Sequence, residues 1–369
     1  MTASIPLKKM TTLGMLFLSV LLVGAGCTAK IAASKSAIIS SIDYGATWQS
    51  RSTVTAGKNK GYELQNVDVT RIVFDTQNPD TVFFGTKEQG LFGSNTAGAT
   101  WTHILPGQYV TDIGLLPGER CSIYLLTPVR ALRTTNCGAS WTVLLNESRG
   151  NVGLSVLSIN QTHPRFVYVA SSVGDIFKSS DGGETWSVLT RFSSQHIRRL
   201  IIDPHDESLL YVATSSGALY KSSNGGITWQ DISQSLRDLA AQKSLSLAYR
   251  NFSLLSGSGR LFYASDDALF RSLNGGASWE RVPILTPNGS SKIYAARPDP
   301  KTIRTFTYAT RTTFYRTVDA GAHWVARPIF SANHPSIVAL HPTRDGVVYM
   351  GMRVPVDESA YWAPAEPEY

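Results

Sequence analysis

One eight-residue phrase is written seven times along the chain: SIDYGATW (41–48), SNTAGATW (94–101), TTNCGASW (134–141), SSDGGETW (179–186), SSNGGITW (222–229), SLNGGASW (272–279) and TVDAGAHW (317–324). Seven of the eight tryptophans close it, at successive separations of 53, 40, 45, 43, 50 and 45 residues. That period belongs to four-stranded propeller blades. The third position holds Asp43, Asn136, Asp181, Asn224, Asn274 and Asp319, with Thr96 standing in the second copy. Short acidic and amide side chains there accept bonds from backbone amides that a tight bend leaves unpaired. The fifth position is always glycine (Gly45, Gly98, Gly138, Gly183, Gly226, Gly276, Gly321), which takes a positive φ without penalty. Trp48, Trp101, Trp141, Trp186, Trp229, Trp279 and Trp324 then open the next strand with a large apolar plate whose N–H needs a partner when buried. The phrase is therefore a turn clamp and a packing anchor, with no reactive constellation in it.

The residues ahead of each phrase complete a blade. Residues 154–160, 166–171 and 175–179 read as three short strands broken by His163 and Pro164, and 197–203, 210–214 and 218–222 repeat the pattern. Alternating runs rich in Val, Ile, Tyr and Phe between Gly, Pro, Asn and Asp are antiparallel strands. The first phrase follows a single strand, 37–41, while the last is followed by two, 336–341 and 347–352. One blade assembled from both ends would hide the edges of an open array. The expected fold is an all-β, seven-bladed propeller over residues 36–353, closed by N- and C-terminal strands in one blade.

The phrase resembles the Asp-box, or bacterial neuraminidase repeat, and the resemblance covers about residues 36–353. His323 departs from it, in place of a hydroxyl, as does Thr96. A single propeller of this kind behind an export signal resembles the photosystem II stability and assembly-factor family. Sortilin-type receptors, sialidases and xyloglucan-cleaving endoglucanases share the repeat. The resemblance implies architecture more strongly than activity.

Lys8 and Lys9 precede an apolar run, 13–23, and the string Gly24-Ala25-Gly26-Cys27. This is the layout of a secretory signal, 1–26, with a small-residue cleavage site. The Gly26-Cys27 junction resembles a bacterial lipobox, which implies lipid on Cys27, a tether over 27–35 and a membrane-anchored, extracytoplasmic protein; without that processing the protein is secreted. Removing 1–26 takes the formal charge from +7 to +5, and 22 of 34 basic residues are arginine. Cys121 and Cys137 lie eight residues to either side of Val129, across an expected hairpin. A disulfide is the favoured reading, reduced core thiols the other.

Links between blades and turns between second and third strands share one face of a propeller. That face is expected to carry Arg51, Lys58, Lys60, Arg130, Arg149, Arg191, Lys243, Lys292, Arg311 and Arg353. Asp43, Asp75, Asp80, Asp181, Glu184, Asp203, Asp206, Glu207 and Asp319 would lie on the other. The guanidinium fork suits carboxylates, so Arg51, Arg130, Arg149, Arg191, Arg311 and Arg353 are candidate contacts for an acidic, membrane-associated protein partner; solvated loop charge is the plain alternative. Nucleic acid is a poor partner for an exported chain without a recognition module.

Two links are long, 53–66 and 231–244, and apolar Ile232, Leu236, Leu239 and Ala240 in the second suit a short helix. The acidic and aromatic tail, 354–369, reads as disordered. No catalytic residues, cofactor or metal site are expected. His103, His163, His196, His205, His323, His334 and His341 are scattered, the sialidase Arg-Ile-Pro signature is missing (Ala326-Arg327-Pro328-Ile329 has the wrong order), and xyloglucan endoglucanases set two aspartates between two propellers. The expected function is a non-catalytic scaffold, such as an assembly or stability factor for a membrane complex. The alternative is a glycan-binding or glycan-cleaving propeller.

Overall fold

The protein is described as a computed structural model covering residues 34–355, apart from 57–58, 120, 194 and 288–291. Cys27, the segment 1–33, Lys58 and the tail from 356 onward lie outside the described residues. Seven four-stranded antiparallel sheets follow one another along the chain. The first is composite, ordered Gln49–Ser50, Ile38–Ser41, Val348–Arg353, His334–Leu340, with Ile39 opposite Met350. The two chain ends thus close the ring. Backbone bonds from Ala332 N to the Ser34 carbonyl and from Asn66 N to the Lys35 carbonyl hold the entering strand on both sides.

Burial explains the strand order. Second strands such as Val82–Thr86, Val167–Ser171, Leu210–Thr214 and Leu261–Ser265 are buried along their whole length. They are near-continuous apolar runs because each is covered on both faces by adjacent blades. Fourth strands such as Thr142–Asn146 and Ser187–Arg191 are mostly exposed, at the outer edge of their sheets. The long links are ordered. Thr53–Ala56 and Asn59–Glu63 form a hairpin that bonds to the backbone of Trp101, and Gln234–Ala241 is a helix burying Leu236 and Ala240 against the cluster that holds Trp279.

The repeated corners show one hydrogen-bond pattern. In the first, Ser41 Oγ donates to Asp43 Oδ1 (2.7 Å) and accepts the amides of Asp43 and Gly45; Asp43 then accepts the Thr47 amide and hydroxyl. The departures keep the pattern: Thr96 Oγ1 accepts the Thr100 amide at 3.1 Å, and His323 Nδ1 lies 2.6 Å from Asp319 Oδ2. These bonds hold Asp43 down to about 2, chiefly through the Thr47 amide, and push Asp181 and Asp319 lower still.

Indoles staple one blade to the blade before it. Trp101 Nε1 donates to the Arg51 carbonyl, Trp186 to Leu144, Trp279 to Ile232 and Trp324 to Pro283. The corner glycines sit at the same seams. A Cβ on Gly183 would come within 2.6 Å of Leu144 and one on Gly276 within 2.4 Å of Ile232. One feature escapes the sequence pattern: the fourth position is also left-handed in every copy, including Tyr44, Ala97, Cys137 and Ala320 with φ between 50 and 64°. Cys137 is bonded to Cys121, with their Cα atoms 4.1 Å apart.

Candidate functional site: an arginine-lined channel

First strands line the central axis: Val69–Phe74, Asp112–Leu115, Leu154–Ile159, Ile197–Ile202, Tyr249–Leu254, Ala295–Pro298 and His334–Leu340. Five of them shift register by one residue near their start, at Val69/Arg71, Leu154/Val156, Ile197/Arg199, Tyr249/Asn251 and Pro335/Ile337. A bulge sets two consecutive residues against one on the partner strand and re-aims their side chains. Consecutive pairs line the channel, both beside these shifts (Thr70 with Arg71, Arg198 with Arg199, Arg250 with Asn251) and on a strand without one (Ala295 with Ala296).

The channel has two chambers. The upper, of about 550 Å³, opens among the blade links and carries Arg71, Lys87, Arg198, Arg250 and Arg353 against Asp68 and Asp112. The lower, of about 410 Å³, opens among the turns between first and second strands and carries Arg71, Arg199 and Arg297 with Asp75 and Asp203. Arg71 lines both and stands at the waist, its Nε 2.8 Å from Asp112 Oδ1. Asp112 also accepts the amides of Ile113 and Leu157, which ties three first strands together.

Electrostatics follow from this crowding. Burial, then the positive charges of Arg199 and Arg71, pulls Arg297 down to about 10. Arg199 is lowered by burial and by Arg71, with Asp112 opposing. Both side chains face the open chamber and are half-buried, so solvent screens part of this effect. In the upper chamber Arg250 pairs with Asp266, Arg198 lies over the Tyr249 ring (5.8 Å) and Arg353 over Tyr294 (5.4 Å). Burial and Arg198 together lower His196.

The arginines read from the sequence are placed less uniformly. Arg149 and Arg191 meet at buried Asp175, 2.8 and 3.2 Å away, and Arg149 also holds Glu147, so local carboxylates engage both. Arg51 Nε donates to Ser40 Oγ. Arg130 and Arg311 are exposed, without an ion pair among the described residues. Arg353 alone of the six reaches the channel. The opposite face mixes its acids with Arg165, Arg260, Lys301, Arg304 and Arg344; Arg344 pairs with Asp80 and Lys301 with Asp345. Arginine is concentrated in the channel rather than around the rim. Charged residues inside otherwise apolar first strands (Arg71, Arg199, Arg297) were the sequence signal for it.

Each buried carboxylate among the described residues is engaged. Asp75 accepts the amides of Gln77 and Asn78, Asp203 those of His205 and Gly259 with the Ser258 hydroxyl, and Asp175 pairs with Arg149 and Arg191 while its own backbone amide donates to Ser171 Oγ.

The family model described as Photosynthesis system II assembly factor YCF48 matches residues 29–213, half of the chain. A Paenibacillus sp. protein named Xyloglucanase is 29% identical over 159 residues, 42% of this chain and 13% of that protein. Among solved structures, the GH74 xyloglucanase from Xanthomonas campestris superposes with TM-score 0.61 at 17% identity, covering 78% of this chain and 51% of that one. A structure described as YCF48 bound to D1 peptide gives 0.59 at 15% identity, covering 82% and 94%. The chain therefore spans 13% of the curated relative and about half of the Xanthomonas enzyme.

Proposed function

We propose a role that starts from membership: this chain belongs to the Photosynthesis system II assembly factor YCF48 family. The role is a non-catalytic scaffold that binds an acidic protein segment at the upper mouth of its channel. The observation that carries the reading is the mouth itself, where Lys87, Arg198, Arg250 and Arg353 gather around a cavity with Asp68 and Asp112 as its lining carboxylates. Guanidinium groups stacked on Tyr249 and Tyr294 are preoriented for carboxylates. The YCF48 structure solved with a D1 peptide supports a protein segment as the class of ligand. Export and lipid anchoring through Cys27 belong to the same proposal and place the scaffold beside a membrane complex.

The test is fluorescence anisotropy of an acidic peptide with the full chain. Replacing Arg198 and Arg353 by Gln should weaken binding about tenfold or more, and affinity should fall steeply with salt. Unchanged affinity removes the channel mouth as the docking site. Membrane fractionation of Cys27→Ala tests the anchor: a soluble variant supports it, and an unaltered membrane fraction refutes it. A glycan-cleaving reading rests on the 29% match to the xyloglucanase. Release of oligosaccharides from xyloglucan by purified protein would favour that reading over the scaffold.

A further inference from the structure

We propose that the lower chamber is a binding site for a tetrahedral oxyanion of the phosphate type, held by Arg71, Arg199 and Arg297. This goes beyond the peptide-docking reading, because it uses a different chamber, the opposite opening and a different class of ligand.

Three first strands from separate blades deliver the three guanidinium groups: Val69–Phe74, Ile197–Ile202 and Ala295–Pro298. They approach from around the axis, not from one side, and all three line one cavity of about 410 Å³. One carboxylate, that of Asp112, answers them, and Arg71 takes it at 2.8 Å. Asp75 and Asp203 also line the chamber and keep their charge, but Asp75 Oδ1 accepts two amides, both oxygens of Asp203 accept bonds from His205, Ser258 and Gly259, and neither carboxylate is among the charges acting on Arg199 or Arg297. Arg199 and Arg297 have no hydrogen-bond or ion-pair partner for their guanidinium groups among the described residues.

An uncompensated cluster of like charges is costly where protein displaces water. That Arg297 is drawn down to about 10 by burial and by its two neighbours is the same cost seen from the proton's side. An anion carrying two charges balances three guanidinium groups and one carboxylate. Tetrahedral oxygens offer several planar donors a contact at once, which one carboxylate does not. The fold places Arg199 and Arg71 beside register shifts and Arg297 in regular pairing opposite Thr307, so all three stand on strands rather than on loops.

Calorimetric titration of the full chain with inorganic phosphate, in low-salt buffer, tests the assignment, with glycerol 3-phosphate in a second arm. Saturable one-to-one binding is expected, weakened about tenfold or more by Arg199→Gln with Arg297→Gln. Arg130→Gln with Arg311→Gln, exposed and outside both chambers, should leave it within about twofold. Binding of both ligands identifies the phosphoryl group as the element recognised; binding of inorganic phosphate alone identifies the free ion. If the Gln pair does not fold, Arg199→Lys and Arg297→Lys keep the charge and lose the planar fork, and either should weaken phosphate. A non-saturating response, or equal affinity in parent and lower-chamber variants, overturns the site. Failure of the acidic-peptide test would leave these outcomes unaltered, so the two proposals fall separately.

Discussion

Gly225 and Gly226 are neighbours in one corner and make a controlled pair for asking what the repeated glycine does. Both are left-handed, with φ of 69 and 94°. A Cβ on Gly225 meets nothing within 4 Å, whereas one on Gly226 would lie 2.4 Å from Leu189 Cδ2 on the fourth strand of the preceding blade. Either change to Ala removes similar backbone freedom from the unfolded chain, worth about 0.4–1 kcal/mol in favour of folding, and either meets the left-handed penalty of roughly 1–2 kcal/mol. Gly225→Ala should therefore cost about 0–1.5 kcal/mol. Gly226→Ala adds overpacking at the seam, typically about 1–3 kcal/mol, for a total of about 1–4.5 kcal/mol. Urea unfolding of both variants reads the difference through the midpoint at constant slope. Leu189→Ala in the Gly226→Ala background should return at least about 1 kcal/mol as a coupling energy, because it opens the space the new methyl needs. Equal losses for the two glycine variants, or no coupling to Leu189, would refute the argument that the fifth-position glycine is set by blade-to-blade approach.

Ala97→Gly and Ala320→Gly should each stabilise the protein by up to about 1 kcal/mol, since φ of 50 and 64° suits glycine better than alanine, and thermal unfolding will show it. Asp43 has a folded pKa depressed to about 2, so its corner is most stable above the unfolded value near 4 and loses that contribution as pH falls toward 2. Asp43→Asn, which copies the residue native at Asn136, Asn224 and Asn274, should shrink the drop in melting temperature between pH 5 and 2. Reducing the Cys121–Cys137 bond, or replacing both by Ser, should cost about 3 kcal/mol in the chain-entropy account and be read as a lower melting temperature in the variant.

The corners were legible because their chemistry is local. A hydroxyl, an acid or amide two residues on, and a glycine two residues beyond that define their own hydrogen bonds, and ring closure followed from counting strands at the two ends. The fourth position was not legible, because Tyr44, Ala97, Cys137 and Ala320 carry side chains that give no sign of a left-handed backbone. The charged surface was legible only as positions. Arg149 and Arg191 fall on the expected face, but their shared partner Asp175 begins a third strand and is buried there, a fact that depends on how four strands register.

The channel arginines mark where strand periodicity ceases to be a guide. Strict alternation would send Arg198 and Arg199 to opposite faces of their strand, one toward the axis and one into the seam. The register shift between Ile197 and Arg199 re-aims them, and each lines a channel chamber, one upper and one lower. The same displacement at Tyr249/Asn251 aims Arg250 and Asn251 into the upper chamber. First strands without the slip also present neighbours to the axis, as Ala295 and Ala296 do in the upper chamber and Arg297 in the lower, so the innermost position in the blade counts for more than the slip. Because first strands line the axis in every blade, the scaffold can vary what its axis binds by exchanging a few first-strand residues while leaving every corner as it is. The structural repeat and the binding chemistry are therefore carried by different strands, which is why a phrase that identifies the fold so well says so little about the ligand.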